Sequence, residues 1–155
     1  MSAEKATPYR YTESGLETVF IHGIKLTIDE DGDEVVTIPN VNGLHKAIAL
    51  AIIGRPGLMT GKELRFLRTE MGMTQAELAT CIHKEPQSVG RWERGEGGGI
   101  DPNAETLIRL LAREKLGLEL HASVAQLTGY SVATAKLPPI EIDGSNPDDY
   151  RPMAA

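Results

Sequence analysis

Leu64 to Gly95 reads LRFLRTEMGMTQAELATCIHKEPQSVGRWERG, and its caps and breakers decide the fold. Thr74 followed three residues later by Glu77 is a capping box, in which each side chain satisfies the other residue's free N–H, so a helix begins here. Leu78, Ala79 and Ile82 fall on one face of that helix. Pro86 suits the first position of a second helix, where a missing N–H leaves nothing unsatisfied. Gly95 is a natural stop for it. Working outward, Thr60 with Glu63 forms another capping box and opens a preceding helix. Two short helices joined by a tight turn are the layout of a helix-turn-helix.

The second helix of that pair has two unlike sides. Val89 and Trp92, three apart, must turn inward towards Leu78 and Ile82. Gln87, Arg91 and Arg94 recur at i, i+4 and i+7 and form one outward stripe. Such a stripe carries the chemistry that reads base edges in a major groove, since glutamine pairs bidentately with adenine and arginine with guanine. A short polar face is otherwise the ordinary solvated side of a surface helix. The capped helix upstream and the WERG ending favour the recognition reading.

Residues 60–116 resemble the helix-turn-helix of Xre-type regulators, the lambda-repressor-like class. The resemblance runs through TGKELRFLRTEMGMTQAELA, QSVGRWERG and the leucine-rich helix that follows. It implies that Gln75 touches a phosphate and that Gln87, Ser88 and Arg91 face an operator; the reading of the site is then that Gln87, Ser88 and Arg91 read bases, while Gln75, Lys84 and Arg94 hold phosphates. It also implies that Arg68 pairs with Glu93 in a structural role; if buried, breaking that pair costs on the order of 3–5 kcal/mol. Gly90 departs from the pattern by offering no side chain to the groove.

Composition bounds the rest. The 155 residues suffice for one domain or two small ones. No apolar run is long enough for a membrane span, and the N-terminal MSAEKATPYRYTE has no apolar signal region. With one cysteine, Cys81, neither an intrachain disulfide nor a cysteine-rich zinc site is expected. A cytoplasmic location follows. The net charge of −6 is unevenly spread: residues 1–57 carry −3, residues 58–116 zero and residues 117–155 −3. The neutral segment is the one assigned to DNA. Long-range steering is therefore weak, and affinity must come from local phosphate contacts and from two copies acting together.

In the N-terminal half, Leu16–His22 reads as a strand, and Ile24, Leu26 and Ile28 alternate with polar residues as in a half-buried strand. Asp31-Gly32 marks a hairpin before Val35–Ile38. The acidic tip around Asp29, Asp31 and Asp33 lacks the glycine position and flanking helices of a calcium-binding EF-hand loop; it reads as a solvated turn. Leu44, Ala47, Ile48, Ala51 and Ile52 follow a helical period, so residues 41–53 form an amphipathic helix. Gly54-Arg55-Pro56-Gly57 breaks it. Beyond Gly95, a glycine-rich loop leads to Asp101-Pro102, which starts a helix that Gly117 stops. Residues 118–130 suggest one more short helix, and the acidic remainder looks extended, either disordered or awaiting a partner.

The fold class expected is therefore α+β: a small antiparallel N-terminal sheet plus helix (1–57), an all-α lambda-repressor-like domain (58–117), and a short helix with an extended acidic tail (118–155). The N-terminal half, through YTESGLETVFIHGI, TIPNVNGLHKAIA and LMTGKELRFLR, is also similar to MqsA-like (YgiT-type) antitoxins. Members of that group often hold zinc with two cysteine pairs. This chain has Thr27–Gly32 where one such pair is expected and so resembles a metal-free relative. That resemblance implies an antitoxin or autorepressor.

Enzymatic readings find little. His22, His45, His83 and His121 lack metal-ligand spacing, and no glycine-rich phosphate loop follows a strand. Cys81 and His83 fall on different helix faces, with no third member of a triad. No catalytic residue, metal or cofactor is expected. The function expected is a homodimeric, sequence-specific repressor binding double-stranded DNA at a palindromic operator, and more specifically the autoregulating antitoxin of a small basic toxin. A phage or mobile-element regulator without a toxin, and a protein-interaction adaptor built on the same scaffold, are the alternatives.

Overall fold

The structure, a computed structural model, describes residues 7–153. In chain order its elements are β1 (Tyr9–Arg10), β2 (Val19–His22), β3 (Leu26–Ile28), β4 (Glu34–Val36), α1 (Val41–Ile53), α2 (Gly61–Glu70), α3 (Gln75–Cys81), α4 (Pro86–Glu93), α5 (Pro102–Lys115), α6 (Val124–Tyr130), β5 (Ile140–Asp143) and β6 (Arg151–Pro152). The fold class is α+β, with small sheets and six helices among the described residues. Two compact units divide the chain: residues 1–48 with 139–155, and residues 49–138. The division falls inside α1.

In the first unit the hairpin expected at Asp31-Gly32 forms, β3 pairing antiparallel with β4, but the strands do not make the single antiparallel N-terminal sheet expected. β3 and β4 pair only with each other, whereas the second sheet has the order β1-β2-β5-β6. In it β2 runs parallel to β5, with Val19 opposite Ile140 and Ile21 opposite Ile142. The tail, expected to be extended and either disordered or awaiting a partner, thus supplies a central strand. The reason is pattern: Ile140 and Ile142 are buried, while Glu141 and Asp143 face outward. That period-2 alternation continues the apolar face of Val19 and Ile21 onto β5. Tyr150 is buried as well, and its hydroxyl donates to the Pro39 carbonyl at 2.6 Å. At the acidic tip, Asp29 Oδ1 accepts the N–H groups of Asp31 and Asp33, each at 2.9 Å. The carboxylate there closes the turn, as aspartate does in Asx-turns.

In the second unit, local signals carry through to the helices. Thr60 and Glu63 complete the capping box of α2, and Thr74 and Glu77 that of α3. The Asp101 carboxylate caps α5 by accepting the Ala104 N–H. Ile52, Leu64, Leu67, Leu78, Val89 and Ile108 are fully buried and form the core of this unit. Packing is tight where α2 meets the end of α4. A Cβ on Gly61 would overlap the Trp92 carbonyl oxygen and lie 2.6 Å from that of Glu93.

The segment 54–57 is tied down by a side chain of α5. α1 has no basic residue in its last turn, and the terminal carbonyls of a helix need donors. Arg109 of α5, fully buried, supplies them. Its Nη1 donates to the carbonyls of Ile53 (3.0 Å) and Arg55 (2.8 Å), and its Nη2 to that of Gly57 (2.6 Å). Glu105, one turn earlier and equally buried, accepts from Arg109 Nε at 2.6 Å. Glu105 further accepts the Met59 N–H and the Ser131 hydroxyl. A cation at a helix C-terminus also interacts favourably with the helix dipole.

Candidate nucleic-acid interface

α3 and α4 pack against each other, and α2 packs against α4. Pro86 occupies the start of α4, and Val89 and Trp92 are buried beneath it. The turn between the two helices passes through His83, whose φ of 57° is left-handed. What remains outward on α4 is the stripe Gln87, Arg91 and Arg94, all exposed, with Ser88 half-buried beside it. Arg91 Nη2 lies 3.4 Å from Ser88 Oγ, so these two side chains approach one another on the outer face.

Beneath this face a polar bridge joins the three helices. Arg68 of α2 donates from Nε (2.6 Å) and Nη2 (3.0 Å) to the two carboxylate oxygens of Glu93 in α4. Its Nη1 donates to the Met73 carbonyl at 3.0 Å. Gln75, the first residue of α3, donates from Nε2 to Glu93 Oε1 at 3.1 Å. The side chains of Arg68 and Glu93 are only 15% and 6% exposed. The hydrogen bond to Glu93 raises the Arg68 guanidinium above its ordinary pKa, keeping it charged. This bidentate geometry fixes both partners in one arrangement.

The six residues singled out from the sequence therefore separate into groups. Gln87, Ser88, Arg91 and Arg94 share the outer side of α4. Gln75 is half-buried and bonds Glu93. One amide hydrogen serves Glu93, and the other remains for an outside acceptor. Lys84 lies in the turn before α4, its ammonium 3.5 Å from Asp101 Oδ2, both side chains 37% exposed. That same oxygen caps α5, so Lys84 is partly neutralised. Gly90 is buried, and a Cβ there would lie 3.2 Å from Arg94 Nη1 and 3.4 Å from Gln75 Oε1. The missing side chain makes room for two of the assigned residues.

Glu96 is the participant that sequence reading missed. It accepts from Arg94 Nε at 3.1 Å and from Nη2 at 3.3 Å. Its signal was present as the acid two residues after Arg94, but it lies beyond the helix, where periodicity no longer gives direction. The Arg109–Glu105 pair was missed too, although both fall on the buried face of α5 with Ala104, Ile108 and Ala112.

Residues 64–113 match the helix-turn-helix family model. A helix-turn-helix domain of the Xre type occupies that segment, about a third of the chain, and it contains every one of the six residues. The domain points to a DNA-binding transcription regulator acting on double-stranded DNA. No curated protein and no solved structure matches the chain significantly. Among the described residues, no helix is long and apolar enough to cross a membrane.

Proposed function

We propose that the protein is a sequence-specific transcriptional repressor that binds a palindromic operator as a homodimer, in the cytoplasm and without catalytic activity. The observation that carries this reading is the two-sidedness of α4. Gln87, Arg91 and Arg94 stand exposed on one side, and Val89 and Trp92 are buried on the other. Each recognition helix enters a major groove, and the half-sites lie roughly 34 Å apart along the duplex. Gln87, Ser88 and Arg91 read bases; Gln75, Lys84 and Arg94 hold phosphates. Selection of bound sequences from a random duplex library supplies the operator, and gel-shift titration then separates the roles. Arg91→Ala costs about 1–3 kcal/mol at the operator and relaxes one base position. Lys84→Ala weakens operator and scrambled duplex alike and flattens the salt dependence. Equal losses on both duplexes for Arg91→Ala would remove it from the base-reading set.

The narrower reading is an antitoxin that represses its own operon. Its support is the resemblance of the N-terminal half to MqsA-like antitoxins and the acidity of residues 1–57, which suits a small basic toxin. Co-purification of such a protein encoded next to this one tests it. If only the operator is bound, the mobile-element regulator is the better description; if its own promoter region is not bound, the adaptor is.

A further inference from the structure

The outer face of the helix-turn-helix holds a carboxylate that attracts no phosphate. Glu96 is fixed there by backbone as well as side chain. Gly95, at φ +76°, turns the chain back over the end of α4, and the Glu96 N–H donates to the Arg91 carbonyl at 2.9 Å. From that position the carboxylate holds the Arg94 guanidinium through two hydrogen bonds, at 3.1 and 3.3 Å. The pair is open to solvent, with side chains 60% and 53% exposed. The hydrogen bond from Arg94, its charge and, more weakly, that of Arg91 hold the Glu96 carboxyl below its ordinary pKa. The acid is therefore ionised wherever the protein meets DNA near neutral pH.

We propose that Glu96 is a built-in competitor for phosphate, an autoinhibitory contact that limits affinity for any duplex by occupying Arg94 in the free protein. This rests on the DNA-binding reading above. A phosphate reaching Arg94 must first displace a carboxylate that makes the same kind of charge-assisted hydrogen bond. Binding to unrelated sequence depends almost wholly on phosphate contacts, so weakening one such contact per protomer limits adhesion to bulk DNA.

Glu96→Gln tests this, because it removes the charge while keeping the shape and an acceptor oxygen. Against the selected operator and a scrambled duplex, Glu96→Gln binds both about two- to fivefold more tightly than the parent, the range of an exposed ion pair. Its salt dependence steepens by about 0.9 in log–log slope. In an Arg94→Gln background the gain from Glu96→Gln is largely lost, because the residue it competes for is absent. Unchanged or weaker binding by Glu96→Gln, with the parent protein binding its operator, overturns the inference and makes Glu96 a positioning residue. A gain that persists in full without Arg94 overturns it as well. If neither protein binds any duplex, the DNA-binding reading itself has failed, and the inference goes with it.

Discussion

Two arginine–glutamate pairs in the helical unit have the same chemistry and opposite settings. Arg109 and Glu105 have fully buried side chains. Their surroundings complete them: main-chain carbonyls for the guanidinium, and the Met59 N–H and Ser131 hydroxyl for the carboxylate. Arg94 and Glu96 lie in solvent and bond chiefly each other. In the interior, charges taken from water must be matched by hydrogen bonds, so neither partner can leave alone. At the surface water replaces either partner at little cost. The buried pair is consequently committed to structure, while the exposed pair is free to be exchanged for a ligand's charge.

The largest effect expected from this contrast is at Arg109. Arg109→Met leaves Glu105 buried without its cation and strips donors from the carbonyls of Ile53, Arg55 and Gly57. The loss is on the order of 3–5 kcal/mol, read as a fall in the urea midpoint. Glu105→Gln leaves the buried Arg109 cation without its counter-charge and sets an amide NH2 against groups that all donate to Glu105, so it costs a similar amount. If Arg109→Met unfolds at the parent midpoint, the buried pair contributes no more than an exposed one, and the contrast collapses.

Arg68 and Glu93 lie between the two extremes, being mostly but not wholly buried. Partial exposure lets water screen the survivor, so Glu93→Ala costs about 2–3 kcal/mol, between the exposed and buried cases. It should also weaken DNA binding, because Gln75 loses the acceptor that orients its amide. A cost equal to that of Arg109→Met would mean that burial is not what ranks these pairs.

How far the chain could be read in advance follows from where each signal resides. The capping boxes at Thr60 and Thr74, the Asp101 cap, Pro86 at the start of α4 and the full extent of α1 at 41–53 are set by residues within a turn of one another. All of these were legible. The exposure of the stripe Gln87, Arg91 and Arg94 was legible for the same reason, since helical period alone gives its direction. The pairing of β2 with β5 was not: it joins segments some 120 residues apart, and the four residues Ile140–Asp143 alternate too briefly to name a partner. Arg109 was hidden for another reason. Its acceptors are main-chain carbonyls of a separate segment, and carbonyls leave no mark in a sequence. The six assigned residues illustrate both cases: those on α4 lie together on its outer side, while Gln75 is drawn inward by Glu93, which a single-helix argument cannot foresee.

The smallest effect concerns an exposed carboxylate that binds the main chain instead of a cation. Glu77 accepts the Thr74 N–H at 2.8 Å, and Thr74 Oγ1 accepts that of Glu77 at 3.0 Å. The backbone and side-chain hydrogen bonds with Thr74 pull the Glu77 carboxyl below its ordinary value of 4.5. A carboxyl lowered in the folded state gives stability that is present above its unfolded pKa and lost as pH falls through the folded one. Its contribution is therefore complete at neutral pH and lost on acidification through and below 4.5. Glu77→Gln keeps a residue suited to the capping box but cannot titrate. Urea midpoints taken from pH 7 down to pH 3 should fall less steeply for Glu77→Gln than for the parent, with the two nearest each other in acid. Parallel curves would mean that this carboxylate contributes nothing by its charge, leaving burial as the sole measure of what an ionised side chain does here.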